Sequence, residues 1–215
     1  MKQAILYDVD GLMVDSEQLG IRTVERIMQR YDVQLTDTEK QGFIGITDEK
    51  FYRELLASRG LDLDVKQILR EHFDLYEGDL PNVQVFQGVA ASFERFTPRY
   101  KLAVVSGSTL YQVNIILQIV GSPKMDVKVT CDDVEQSKPD PQPYLTAAQR
   151  LQVEPRNCVV LEDATSGVIS AKRAGMKVIG VRIGNQGRQD LSQADRIVET
   201  LDEVTLGLVE YLLQS

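Results

Sequence analysis

Asp8 and Asp10 stand one residue apart, at the end of the apolar run Ile5-Leu6-Tyr7 and just before Gly11. Strand side chains repeat every two residues, so both carboxylates can project to the same side where a strand gives way to a glycine turn. Like charges a few ångströms apart repel, so both acids ionise together only if a cation sits between them; otherwise one keeps its proton. Either arrangement makes chemistry possible. An acidic Asx turn would explain an isolated Asp-x-Asp-Gly equally well, so the weight falls on the rest of the chain.

Three further polar clusters follow apolar, strand-like runs. Ser106-Gly107-Ser108 follows Leu102-Ala103-Val104-Val105, Lys138-Pro139-Asp140-Pro141 follows a run ending near Cys131, and Glu162-Asp163 follows Val159-Val160-Leu161. In an open α/β sheet, ligands bind beyond the carboxyl ends of the strands, and all four clusters fall there. Singly, each has a plainer explanation. Ser106 can cap the next helix, Lys138 can be an exposed lysine among prolines, and Glu162-Asp163 can open a helix and favour its dipole. Gly167 and Gly175 read as packing and helix-ending glycines. The joint arrangement of the clusters favours one site.

The elements that must place these residues alternate in type. Beyond the first strand, strands are expected at 83–86, 101–106, 127–131, 158–161, 177–183 and 196–198, with helices near 88–96, 109–120, 141–151, 165–174 and 202–213. This predicts an α/β fold: a doubly wound parallel sheet with helices on both faces. Between residues 15 and 80 the pattern is helical instead. A cap at Asp15 or Ser16, a capping box from Thr36 to Glu39, and apolar faces such as Ile21/Val24/Ile27/Met28 and Phe51/Tyr52/Leu55/Leu56 predict four helices there. About 65 residues with that much pattern form an inserted all-α helical-bundle cap rather than a loop. Residues 1–14 and 81–215 are expected to make the discontinuous core and 15–80 the cap.

The chain has 215 residues, a hydrophobic fraction of 43% and a formal net charge of −8. The charge argues against nucleic acid and anionic membrane as partners, while a small anion can still be met by one lysine, a metal ion and backbone amides. No apolar run approaches a membrane span and Met1-Lys2-Gln3 shows no signal-peptide pattern, so a cytoplasmic location is expected. His72 is the one histidine, which leaves no material for a histidine-rich zinc site; it reads as a helix surface or packing residue. Cys131 and Cys158 are expected to be buried, reduced thiols in strands.

The motifs and their order resemble the haloacid dehalogenase superfamily, in its phosphatase and phosphomutase branch with a helical cap inserted after the first strand. The resemblance spans nearly the whole chain, through Asp8-Val9-Asp10-Gly11-Leu12-Met13-Val14-Asp15-Ser16-Glu17, Val104 to Ser108, Lys138 to Pro141, Leu161 to Val168 and Ala171 to Met176. It implies that Asp8 is a nucleophile forming an aspartyl-phosphate that water then hydrolyses. Asp10 would protonate the departing alkoxide and later activate the water, which requires surroundings that raise its pKa. The resemblance implies Mg²⁺ held by Asp8, the backbone carbonyl of Asp10 and Asp163, with Glu162 acting through a bound water; four carboxylates beside one lysine suit such a hard cation. Ser106, Gly107 and Lys138 would hold the phosphoryl oxygens. By analogy Glu17, Gly20, Ile44, Gly45 and Thr47 would face the substrate from the cap, with hinges near 14–17 and 79–85.

An acid at position 10 favours phosphate ester hydrolysis over dehalogenation, because dehalogenating relatives usually lack it. Relatives that are β-phosphoglucomutases typically carry a His early in the cap and an Arg in a Gly-x-x-Arg motif, whereas this chain has Gly20 and Asp48 at those places. A carboxylate at 48 would repel a second phosphate. The expected function is therefore a Mg²⁺-dependent phosphatase acting on small phosphate monoesters, sugar phosphates first. A phosphomutase is the second reading, and a non-catalytic phosphate-binding module is the alternative of another class. A receiver-like signalling domain fits poorly, since its phospho-acceptor would lie on a later strand without a helical insertion. The expected partner is a small phosphate ester. A monomer is expected, because the cap can cover the site within one chain.

Overall fold

Short apolar runs bounded by turn residues make the sheet: β1 (Ala4–Tyr7), β2 (Lys101–Val105), β3 (Val127–Val129), β4 (Cys158–Glu162), β5 (Lys177–Val181) and β6 (Arg196–Val198). The structure is a computed structural model and describes residues 2–44, 46–184 and 188–215. Among the described residues the strands form one sheet in the order β3-β2-β1-β4-β5-β6, every pair parallel. The central strand β1 is fully buried along its length, as expected where helices cover both faces of a parallel sheet. Tyr7 lies opposite Val104 of β2 and Leu161 of β4. The next residues along, Asp8, Val105 and Glu162, therefore lie at one level at the carboxyl end of the sheet, and the Asp8 amide donates to the Leu161 carbonyl at 3.0 Å.

By contacts the chain divides into two units, Met1–Asp15 with Gln84–Ser215, and Ser16–Val83. The second unit holds α1 (Ser16–Arg30), α2 (Asp37–Gly42), α3 (Asp48–Arg59) and α4 (Val65–Asp79). Its helix starts follow side-chain chemistry. Thr36 and Glu39 form the expected capping box, Thr47 and Asp64 cap α3 and α4, and Gly60 in the left-handed conformation ends α3. Val24, Ile27, Met28, Phe51, Tyr52, Leu55, Leu56 and Ile68 form its core, each large side chain worth about 1.5–3 kcal/mol in burial. His72 belongs to this core, 2% exposed, with its Nδ1 2.9 Å from the Tyr52 hydroxyl. Burial lowers its pKa, partly offset by Asp48, so it packs as a neutral ring.

In the first unit α5 (Val89–Phe96), α6 (Leu110–Ile119), α7 (Gln142–Leu151), α8 (Thr165–Arg173) and α9 (Leu206–Gln214) accompany the strands. Leu6, Ala103, Val105, Val160 and Val178 of the sheet pack with Tyr144, Ala147, Ala148 and Leu151 of α7 and Val168 and Ala171 of α8.

The expected strand at 83–86 is not part of the sheet. Val85 instead makes a single bridge to Val14, flanked by bonds from Asp15 N to Gln84 O and from Phe86 N to Met13 O. The strand expected at 127–131 stops at Val129, because Thr130 opens a 3₁₀ turn whose Asp133 carboxylate accepts from the Thr130 amide and hydroxyl. Cys131 is consequently exposed, which corrects its reading as a buried thiol; Cys158 is buried in β4, and both thiols are free. The strand expected to reach 183 ends at Val181. The last helix starts at Leu206, capped by Thr205, after a separate turn at Leu201–Glu203.

Candidate active site

Asp8 and Asp10 follow β1 on a turn closed by bonds from Met13 N to Val9 O and from Gly11 N to Val14 O. Gly11 has φ +79°, and a Cβ there would meet Asp163 Oδ2 at 2.2 Å, so glycine is required both by the backbone and by the neighbouring carboxylate. The Asp8 carboxylate is buried and its Oδ1 accepts from Lys138 Nζ at 2.5 Å. Lys138 also donates to Glu162 Oε1 at 2.7 Å and to the Val105 carbonyl at 3.0 Å. Its ammonium lies 4.9 Å from the centre of the Tyr144 ring.

Ser106 and Ser108 both turn to Asp10. Their hydroxyls donate to the same oxygen, Oδ2, at 3.0 Å and 2.7 Å, while Ser106 Oγ accepts from the Ser108 amide at 2.9 Å. A hydroxyl can donate or accept, so this pair can hold Asp10 with or without a proton. Thr109, not Ser106, caps α6, which removes the plainer reading of Ser106. Similarly Glu162 ends β4 instead of opening a helix, although its Oε2 accepts from the Ala164 amide at 3.1 Å. Lys138, its side chain only 13% exposed, is not a surface lysine.

Asp8, Glu162 and Asp163 each offer an oxygen within 4.8 Å of the others, and all three are buried. Burial pushes the Asp8 pKa up to about 8, with Lys138 opposing and Glu162 and Asp10 adding to the rise. Burial, Asp8 and Glu162 likewise hold Asp163 well above the usual carboxylate range, against Lys138. Burial alone would lower Lys138, but Asp8 and Glu162 more than compensate and keep it well above its ordinary value. One buried ammonium cannot balance this group of carboxylates, so protons take the place of a missing positive charge. An all-oxygen donor set with surplus negative charge fits a hard divalent cation.

The haloacid dehalogenase-like hydrolase profile matches residues 5–181. The chain belongs to that family. Among curated relatives, this haloacid dehalogenase-like hydrolase is 30% identical over 209 residues to the validoxylamine A 7′-phosphate phosphatase of Streptomyces hygroscopicus subsp. limoneus, covering 95% of this chain and 96% of that protein. It is 28% identical over 207 residues to hexitol phosphatase A of Escherichia coli strain K12, covering 95% and 94%. A solved structure from Thermotoga maritima, provisionally described as a β-phosphoglucomutase, superimposes with a TM-score of 0.84 at 26% identity over 98% of this chain and 99% of that one.

In this hydrolase the structure gathers Asp8, Lys138, Glu162 and Asp163 into one group and bonds Ser106 to Asp10, whose charge is close enough to act on Asp8. Gly107 lies in the Ser106–Ser108 turn, where an added Cβ would find open space. The cap residues are placed only within their own unit. Glu17 lies in the first turn of α1, Ile44 follows α2, and Thr47 spends its hydroxyl on the Lys50 amide as the α3 cap. Gly20 is buried against Phe43, whose ring carbon a Cβ would approach to 2.6 Å. Gly45 lies outside the described residues.

The structure adds Ser108, Tyr144 and Gly167. Ser108 was legible in principle, because Ser-Gly-Ser repeats the two-residue spacing of the aspartates. Tyr144 looks like an ordinary core aromatic of α7, sharing a face with Ala147, Ala148 and Leu151. Gly167 is tighter than packing alone implies: a Cβ would lie 1.6 Å from Glu162 Oε1. Gly167→Ala is therefore expected to displace the Glu162 carboxylate and lower kcat/KM by roughly 10²-fold, with a destabilisation of about 1–3 kcal/mol. Gly78→Ala on α4, where a Cβ meets nothing within 4 Å, serves as the control in steady-state kinetics and thermal melts. Activity of Gly167→Ala equal to that control would refute the constraint.

Proposed function

We propose that this protein is a divalent-metal-dependent phosphatase for small phosphate monoesters, with sugar and polyol phosphates foremost and Mg²⁺ as the ion. The carrying observation is the buried Asp8 carboxylate bonded to Lys138 beside an acidic cluster, with a second acid, Asp10, held by two serine hydroxyls. Asp8 attacks phosphorus, and the ester oxygen leaves with the proton of Asp10. Asp10 then takes a proton from water as that water attacks the aspartyl-phosphate, which restores Asp8 and releases inorganic phosphate. Lys138 and Ser106 turn their donors to the phosphoryl oxygens, with Gly107 allowing the backbone to approach. Asp8, Asp163 and the Asp10 carbonyl would hold the ion, with Glu162 behind them. When bound, it would neutralise charge on the transferring group.

Two relatives named as phosphatases for a validoxylamine phosphate and for hexitols support this substrate class. By the same resemblance, a carboxylate at position 48 where β-phosphoglucomutases carry an arginine favours hydrolysis over a mutase cycle. Phosphate release from a panel of sugar, polyol, glycolate and nucleotide monoesters, measured in Mg²⁺ and in EDTA, is expected to be metal-dependent and highest for sugar and polyol phosphates. Turnover unaffected by EDTA would refute the metal requirement. Interconversion of sugar phosphates driven by a bisphosphate would establish the mutase instead.

A further inference from the structure

We infer that Tyr144 is a positioning residue for the phosphate-binding lysine: its hydroxyl pins Glu162 while its ring supports the Lys138 ammonium. This rests on the phosphatase reading and goes beyond it. A lysine ammonium has three N–H donors, and Lys138 directs them to Asp8 Oδ1, Glu162 Oε1 and the Val105 carbonyl. All three are committed before a phosphate arrives, so donation to a phosphoryl oxygen requires exchange of one partner. Asp8 is the reacting group, and the Val105 carbonyl is fixed in β2. Glu162 is the partner that can be released, but its carboxyl group is fully buried, and a buried Oε1 left without a donor would be costly.

Tyr144 removes that obstacle. Its hydroxyl donates at 2.8 Å to Oε1, the same Glu162 oxygen that Lys138 contacts. Glu162 cannot turn away, since Oε2 is held by the Ala164 amide and Gly167 leaves no clearance on the other side. Tyr144 itself is fully buried in α7. The ammonium sits 4.9 Å from its ring centre, inside the range of about 6 Å for cation–π attraction. Lys138 can therefore move from carboxylate to phosphate without leaving the ring, and Glu162 keeps a donor throughout.

The test compares wild type, Tyr144→Phe and Tyr144→Leu for inorganic phosphate affinity by calorimetry in Mg²⁺, for kcat and KM on a small aryl phosphate, and for thermal midpoint. Tyr144→Phe keeps the ring and the packing and loses only the hydroxyl. It is expected to bind phosphate roughly tenfold or more weakly, with full binding stoichiometry and a thermal midpoint close to wild type. Tyr144→Leu is expected to lose more affinity, because the ring goes too. A Tyr144→Phe protein that binds phosphate within twofold of wild type overturns the inference. So does one in which stoichiometry falls while affinity holds, the mark of a purely structural role. If wild type neither binds phosphate nor releases it from any ester, the phosphatase reading fails first and this inference with it.

Discussion

Asp8→Asn is expected to lower kcat by on the order of 10⁴-fold or more, about 5.5 kcal/mol of activation free energy, because an amide cannot form the acyl phosphate. The fold should survive. Asp8 is buried among Glu162, Asp10, Asp163 and Lys138, and its pKa stands raised from 3.8 to about 8. A carboxyl group that holds its proton more tightly when folded contributes stability that is complete below its unfolded pKa and is lost as pH rises through the folded value. In EDTA the wild type should therefore lose stability between about pH 4 and pH 8. Asp8→Asn should show a shallower loss over the same window, with Asp163 supplying what remains. Added Mg²⁺ should help most at the upper end, where the carboxylates are ionised and able to bind it. Thermal melts across pH for both proteins decide the matter, and parallel curves would mean that Asp8 carries no raised pKa.

Lys138→Ala has the second largest expected effect, and it acts on stability as well as rate. The substitution leaves Asp8 and Glu162 buried without the ammonium that bridges them at 2.5 Å and 2.7 Å. Removing one partner of a buried ion pair typically costs about 3–5 kcal/mol, or roughly 10 °C in melting temperature for a chain of this size. kcat/KM should fall by on the order of 10³-fold, as donors to the transferring phosphoryl group are lost. A divalent ion brings positive charge to the same carboxylates, so Mg²⁺ should raise the melting temperature of the variant more than that of the wild type. Equal shifts would place the metal away from Asp8 and Glu162.

The α/β alternation and the parallel sheet were legible because each strand is a short apolar run closed by turn residues. The polar clusters were legible because they all follow such runs. What escaped depends on packing between segments far apart in sequence. Tyr144 meets the apolar pattern of α7, and nothing local distinguishes its hydroxyl from that of any buried tyrosine; only the approach of β4 puts Glu162 against it. Gly167 reads as a small residue in a helix until the Glu162 side chain is seen to occupy its Cβ position. Cys131 failed for the opposite reason: the strand pattern runs on to it, but Asp133 bonds back to Thr130 and closes a turn whose hydrogen bonds are local. The segment 83–86 has strand composition, yet it finds one bridging partner where a sheet strand would find a ladder.

That lone bridge has a consequence for how such a chain can change over time. Val14 and Val85 are paired, and the Asp15 amide is bonded to the Gln84 carbonyl, so the points where the polypeptide departs for Ser16–Val83 and returns from it are already tied together within the sheet-bearing unit. Ends that lie side by side are where insertions, deletions and exchanges of whole segments are best tolerated. Descendants could lengthen, trim or replace the helical segment while the four acidic positions and Lys138 keep their scaffold.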